Sequence, residues 1–138
     1  MASFMIAVKS SSGRRRQNCP HTHRPLERDF RGMRILNVGS VGSPFDGDPR
    51  ASYGQLEYRG NRWRSRIVRL EYDRDAADRE FRESGFIDQG GPLASVIYEE
   101  WRRAEPLMPY WHRRYGEPVL AGKITLERAV EEFLAELG

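Results

Sequence analysis

The amino-acid sequence predicts an α/β fold in which strands come first and helices follow. Up to residue 73, apolar residues alternate along short runs, which is typical of strands. Beyond residue 73 they recur at spacings of three and four, which is typical of helices. We therefore divide the chain into an atypical, flexible N-terminal segment (1–17), a β-rich part (18–73) and a helical extension (74–138).

The β-rich part is predicted to contain one short strand and one hairpin. Residues 33–38 form an apolar run that suits a strand. Residues 52–58 and 62–72 are two further strand candidates, and Gly60 and Asn61 between them suit a two-residue hairpin turn. We expect this hairpin to be antiparallel, with one packed face and one solvated face.

Helices are predicted from the spacing of apolar residues and from capping residues at the helix ends. The predicted segments are 75–84, 92–104, 107–115 and a last helix that begins after Thr125. In the last helix the apolar residues make a continuous stripe. Its members are Leu126, Ala129, Val130, Phe133, Leu134 and Leu137.

The composition is that of a soluble globular domain of 138 residues, with 38% apolar residues and a formal net charge of +3. No apolar run approaches the roughly 20 residues that a membrane-spanning helix needs. A single cysteine, Cys19, cannot form an internal disulfide. We expect a cytoplasmic protein without a membrane partner.

Arginine dominates the basic residues, since Lys9 and Lys123 are the only lysines. Such an excess is more often a result of codon composition than of function, and most of the arginines are interspersed with acids. This pattern argues against a nucleic-acid partner. The alternative left open is a non-catalytic nucleic-acid-binding or protein-interaction module that uses an arginine-rich hairpin, with Arg62, Arg64, Arg66 and Arg69 on one strand.

Two of the three histidines, His21 and His23, flank Thr22. In an extended segment this spacing puts both imidazoles on the same side of the chain, and in a loop it can direct them at two neighbouring ions. Neutral imidazole is a common ligand of transition metals. The pair is therefore half of a plausible metal site, whereas we expect His112 to be a packing or surface residue.

Three motifs follow one another within residues 18–73. They are His-Thr-His-Arg-Pro at 21–25, Asn-Val-Gly-Ser-Val-Gly at 37–42 and Pro-Arg-Ala-Ser-Tyr at 49–53. In this order they resemble the C-terminal half of calcineurin-like metallophosphoesterases, especially the small bacterial and archaeal phosphodiesterase or diadenosine-tetraphosphatase-like branch. The resemblance implies the C-terminal part of a four-layer αββα sandwich, followed here by the helical extension.

The resemblance also implies an activity and a site. The activity would be metal-dependent hydrolysis of a phosphomonoester, a phosphodiester or a dinucleoside polyphosphate, with two divalent ions (Mn, Fe, Zn or Ni). His21 would bind one ion and His23 the other. Asn37, Gly39 and Ser40 would shape the loop beside the site, with Asn37 in a supporting role.

The sequence departs from the family pattern in two ways. Pro20 stands where the family has glycine, and the Asp-x-His, Gly-Asp and Gly-Asn-His motifs that carry the other ligands do not precede His21. Two histidines cannot fix two divalent ions, because carboxylates are needed to bridge the ions and balance their charge. We therefore expect this chain to be a truncated, incomplete or inactive form. Partial disorder, a homodimer and a complementing chain that supplies the other half are all open, and a phosphoester would be its substrate if the site is completed.

The Ser- and Arg-rich run at 10–16 precedes the motifs, and no acid occurs before Glu27. Such a run can be a transit peptide or can contact phosphate. A third interpretation is a truncated or frame-shifted gene product, or a mis-assigned start, that resumes the family pattern at His21. We favour this third interpretation.

Overall fold

The structure, a computed structural model, describes residues 3–9, 22–31 and 33–138. The strands in these residues are β1 (Ser3–Lys9), β2 (Pro25–Phe30), β3 (Met33–Ser40), β4 (Ala51–Arg59) and β5 (Arg62–Leu70). The helices are α1 (Arg74–Glu83), α2 (Phe86–Gln89), α3 (Leu93–Arg103), α4 (Met108–Leu120) and α5 (Leu126–Leu137). The fold is mixed α/β, as predicted, and the chain divides into two compact units, Met1–Tyr72 and Asp73–Gly138.

The first sheet has the antiparallel order β1-β3-β2, so β3 is its central strand. Asn37 of β3 is paired with Met5 on one side and with Leu26 on the other. Leu36 and Val38 are buried and form the apolar centre of β3. The predicted strand at 33–38 is confirmed, and it continues for two more residues.

Neither outer strand of this sheet follows from the sequence patterns. Ser3–Lys9 forms β1 where the sequence analysis predicts a flexible segment, because its apolar residues 4–8 suit a strand once β3 offers an edge. Residues 10–17 of that segment lie outside the described residues. In β2, all residues after Pro25 are exposed, and charged side chains occur at 27–29, so no alternation marks it as a strand.

The second sheet is the hairpin β4–β5, and the predicted turn is confirmed. Gly60 and Asn61 both have positive φ, 58° and 60°, as a two-residue hairpin turn of this hand requires. Gly54 of β4 lies against β3, since a Cβ added at Gly54 would be 2.6 Å from Cγ1 of Val38. The hydroxyl of Ser52 donates a hydrogen bond to the carbonyl of Val38. The hairpin therefore packs directly on the central strand.

The helical unit has its own core. Asp73 caps α1 by accepting a hydrogen bond from the backbone N–H of Ala76, and Thr125 caps α5. Helix α4 runs past the predicted end at residue 115 and includes Pro118. The buried core residues come mainly from the last three helices. They are Val96, Leu107, Trp111, Tyr115, Ala129, Val130 and Phe133.

One carboxylate is buried at the start of α4. Glu100 of α3 is 7% exposed, and its Oε1 accepts a hydrogen bond of 2.6 Å from the backbone N–H of Met108. Helix N-termini have N–H groups without partners in the helix, and this carboxylate satisfies them from a neighbouring helix. Burial raises the pKa of Glu100 above its ordinary value of 4.5, although hydrogen bonds from Met108 and Leu107 act in the opposite direction.

Candidate functional site

His23 is held in one orientation by contacts on two sides of its ring. The side chain is 4% exposed, and its Nδ1 lies 2.5 Å from the carbonyl oxygen of Ser43. The ring stacks on Phe45 with 4.6 Å between the ring centroids and 18° between the ring planes. Because a carbonyl can only accept a hydrogen bond, Nδ1 carries a proton, and in the neutral imidazole Nε2 is then the unprotonated nitrogen.

The backbone at His23 is also fixed. Its φ is +52°, a left-handed conformation that is uncommon for residues other than glycine. Its carbonyl accepts a hydrogen bond of 3.2 Å from the N–H of Phe45, and the Arg24 Nε donates to the carbonyl of Phe45 at 2.9 Å. Residues 22–24 are therefore attached to the loop that follows β3.

Asn37 connects the first motif with the second. Its Nδ2 donates a hydrogen bond of 2.8 Å to Oγ1 of Thr22, and its Oδ1 accepts one of 3.0 Å from the N–H of Gly39. The side chain of Asn37 is 6% exposed, and its hydrogen bond with Gly39 is buried, whereas the one with Thr22 is partly buried. We call residues 22–25 and 37–45 the motif pair.

Gly39 allows the two parts of the motif pair to approach each other. Its φ is +83°, and a Cβ added there would lie 2.8 Å from Oγ of Ser52 and 3.0 Å from Cγ of Pro25. Glycine is the residue that tolerates both the positive φ and this close approach. The following residue, Ser40, is 2% exposed, and its Oγ accepts a hydrogen bond of 2.9 Å from the N–H of Ser43.

The structure brings together four of the five site residues that the sequence analysis named. These are His23, Asn37, Gly39 and Ser40. The fifth, His21, lies outside the described residues. The sequence analysis missed the roles of Ser43 and Phe45. Ser43 acts through its backbone carbonyl, which leaves no signal in a sequence. The aromatic residue Phe45, close to the predicted loop, was a signal that could have been used.

The acidic residues of the loop after the second motif are engaged by arginines. Arg69 forms ion pairs with Asp46 and Asp48, and Arg50 Nη2 lies 2.7 Å from Oδ2 of Asp48. Hydrogen bonds from Arg50 hold the pKa of Asp48 well below its usual range. These carboxylates therefore stabilise the loop rather than extend the site around His23.

The motif pair fits one metal ligand but not a complete two-metal centre. Metal-ligating histidines almost always donate their other ring N–H to a carbonyl or carboxylate, as His23 does to Ser43. In residues 3–9, 22–31 and 33–138, however, no group of three or more His, Cys, Asp or Glu side chains could hold a metal ion. The described residues alone thus supply a correctly oriented histidine without the carboxylates that two ions require.

The arginines of the hairpin do not all share one face. Arg62, Arg64 and Arg66 alternate along β5 and are exposed, whereas Arg69 has the opposite parity. Arg69 is drawn into the ion pairs with Asp46 and Asp48. The fourth arginine on the exposed face is Arg59 of β4, which is paired with Arg62.

Comparisons with known proteins identify no relative. No family model, no curated protein and no solved structure matches the chain. Among the described residues, no helix is both long enough and apolar enough to cross a membrane.

Proposed function

We propose that the motif pair belongs to a metal-dependent phosphoesterase site of the calcineurin-like kind, and that the two sheets are part of a four-layer αββα sandwich. The substrate would be a phosphomonoester, a phosphodiester or a dinucleoside polyphosphate. The observation that carries the proposal is the Asn37 side chain, which hydrogen-bonds Thr22 of the first motif and Gly39 of the second. Two motifs that are separate in the sequence thus meet at one place.

In this proposal each residue of the motif pair has a defined task. His23 offers Nε2 as a metal ligand, and the carbonyl of Ser43 keeps its ring in the required tautomer. Asn37 positions Thr22 and therefore the segment that carries both histidines. Bound divalent ions would activate water and balance the charge of the phosphoryl oxygens.

The proposal includes a second polypeptide, either another copy of this chain or a different one, that completes the site. The described residues offer no cluster of carboxylates near His23, and charge balance around two divalent ions requires such groups. A complementing chain would also cover apolar side chains that are exposed in the unit Met1–Tyr72, which we call the strand unit. Among them are Trp63 at 46% and Leu26 at 47% exposure. By itself, this chain should hydrolyse phosphoesters slowly or not at all.

Manganese binding and hydrolysis test this function together. In the full chain, added Mn²⁺ should broaden the imidazole NMR signals of His21 and His23 before those of His112, which is exposed on α4. The same sample should hydrolyse bis(4-nitrophenyl) phosphate no faster than the buffer with Mn²⁺ and without protein does. The same titration of His23→Ala should show no selective broadening, whereas His112→Ala should behave as the wild type.

Two results would contradict parts of the proposal. Equal broadening of all three histidines would mean that the motif pair is not a metal site. Rapid hydrolysis that is lost in His23→Ala but kept in His112→Ala would support the site and overturn the need for a second polypeptide.

A further inference from the structure

The exposed face of the hairpin carries four arginines, Arg59, Arg62, Arg64 and Arg66, which we call the arginine face. Arg59 is directly opposite Arg62 in the register. Glu57 and Gln55 are opposite Arg64 and Arg66, and the amide oxygen of Gln55 accepts hydrogen bonds from Arg66. Four positive charges therefore share this face with a single acid.

The arginine face places four arginines without an ion pair side by side, whereas Arg79 and Arg113, which also have no ion pair among the described residues, lie on separate helices. Elsewhere arginines commonly meet carboxylates, as in the Arg34, Arg82 and Arg128 ion pairs. Within the part of the chain that the structure describes, none of the four arginines of this face has a carboxylate oxygen within 4.0 Å of its guanidinium. Like charges directly opposite each other destabilise a hairpin. An external polyanion would relieve this repulsion.

The shape of the hairpin favours a duplex over a single strand. Alternate residues of a strand are about 6.6–6.8 Å apart, so Arg62, Arg64 and Arg66 leave the backbone of β5 at regular intervals on one face. A two-stranded ribbon fits the major groove of DNA. Single-stranded nucleic acid is bound chiefly by aromatic stacking. The ring pair of Tyr58 and Trp63 has the opposite parity and lies on the other face, and Tyr53 is at the far end of the arginine face.

We propose that the arginine face binds duplex DNA, chiefly through its phosphates. Guanidinium groups match phosphate oxygens in geometry as well as in charge. The sequence analysis argued against a nucleic-acid partner because the arginines are interspersed with acids. The structure separates them, since it pairs Arg69 with acids and leaves this face with one glutamate. The proposal does not rest on the phosphoesterase proposal, because it involves none of the motif pair.

Fluorescence anisotropy with a labelled DNA duplex of about 20 base pairs tests the proposal in the full chain. The double variant Arg62→Gln/Arg64→Gln should weaken binding at least about tenfold. The fall of the logarithm of the association constant with the logarithm of the salt concentration should become shallower, with a slope smaller in magnitude by about 2. The matched control Arg79→Gln/Arg113→Gln removes the same charge from exposed helix residues. It should change the affinity less than about threefold.

Further variants and competitors keep the result unambiguous. Arg62→Lys/Arg64→Lys retains the charge and should keep most of the salt-dependent affinity. Circular dichroism melts should show no variant melting below the wild type, since these side chains are exposed and Arg62→Gln removes the repulsion with Arg59. The proposal is overturned if the wild type does not bind the duplex at low salt, or if both glutamine double variants lose affinity equally. It is also overturned if single-stranded DNA competes as well as the duplex does.

Discussion

Gly39→Ala should destabilise the strand unit by about 2–4 kcal/mol and separate the two parts of the motif pair. An alanine would have to adopt a φ near +83°, and its Cβ would lie 2.8 Å from Oγ of Ser52 and 3.0 Å from Cγ of Pro25. Both partners are held in place, since Ser52 is 1% exposed and Pro25 begins β2. Urea unfolding followed by amide hydrogen exchange in β3 measures the loss.

Two other glycines of the same loop region separate the causes. Gly47 has a φ of +80° but open space around it, so Gly47→Ala should cost only the backbone strain of about 1–2 kcal/mol. Gly42 has neither a positive φ nor a neighbour within 4 Å, and Gly42→Ala should be nearly neutral. If Gly39→Ala were no more destabilising than Gly42→Ala, the close packing of the motif pair would be wrong.

Glu100→Ala should destabilise the helical unit by about 1–3 kcal/mol, because it leaves the N–H groups at the start of α4 without an acceptor. Glu100→Gln retains one acceptor oxygen and should cost less. Guanidinium unfolding followed by far-UV circular dichroism, which reports mainly on helices, measures both. Glu105→Gln on the exposed surface is the control and should be neutral.

The same residue predicts a pH dependence with a defined sign. Burial raises the pKa of Glu100 in the folded protein above its ordinary 4.5, so the folded state binds this proton more tightly than the unfolded chain does. The stabilisation that comes from binding this proton is complete below the ordinary pKa of 4.5. It is lost as the pH rises through the raised pKa of Glu100 in the folded protein. The free energy of unfolding of the wild type relative to Glu100→Gln should therefore fall with rising pH. A difference that is constant or rises would contradict this.

The hairpin and the helix ends were predictable because their signals are local. Gly60 and Asn61 form the turn that their dipeptide predicts, and Thr125 caps α5 as expected. Strand β2 was not predictable, because its consecutive charges show no alternation and only its pairing with β3 defines it. Helix α4 passed its predicted end because Pro118 lies in the last turn, where a missing backbone N–H disturbs little of the remaining helix.

The candidate site was predictable only in part, because some of its contacts join residues that are far apart in the sequence. His23, Asn37 and Gly39 were named from motifs, and the structure joins them. The orientation of His23 depends on the carbonyl of Ser43, which every residue type possesses and which no sequence pattern distinguishes. Strand parity places Arg62, Arg64 and Arg66 on one face of the hairpin, but the ion pairs of Arg69 with the loop acids required the fold.

Long-range ¹H–¹⁵N NMR of the imidazole nitrogens measures the tautomer of His23 in the full chain at neutral pH. If the motif pair is preformed as a metal-ligating site, His23 carries its proton on Nδ1 and leaves Nε2 unprotonated, since Nδ1 donates to Ser43. Exposed His112 in the same spectrum provides the comparison. A proton on Nε2 of His23, or a tautomer mixture identical to that of His112, would contradict the account.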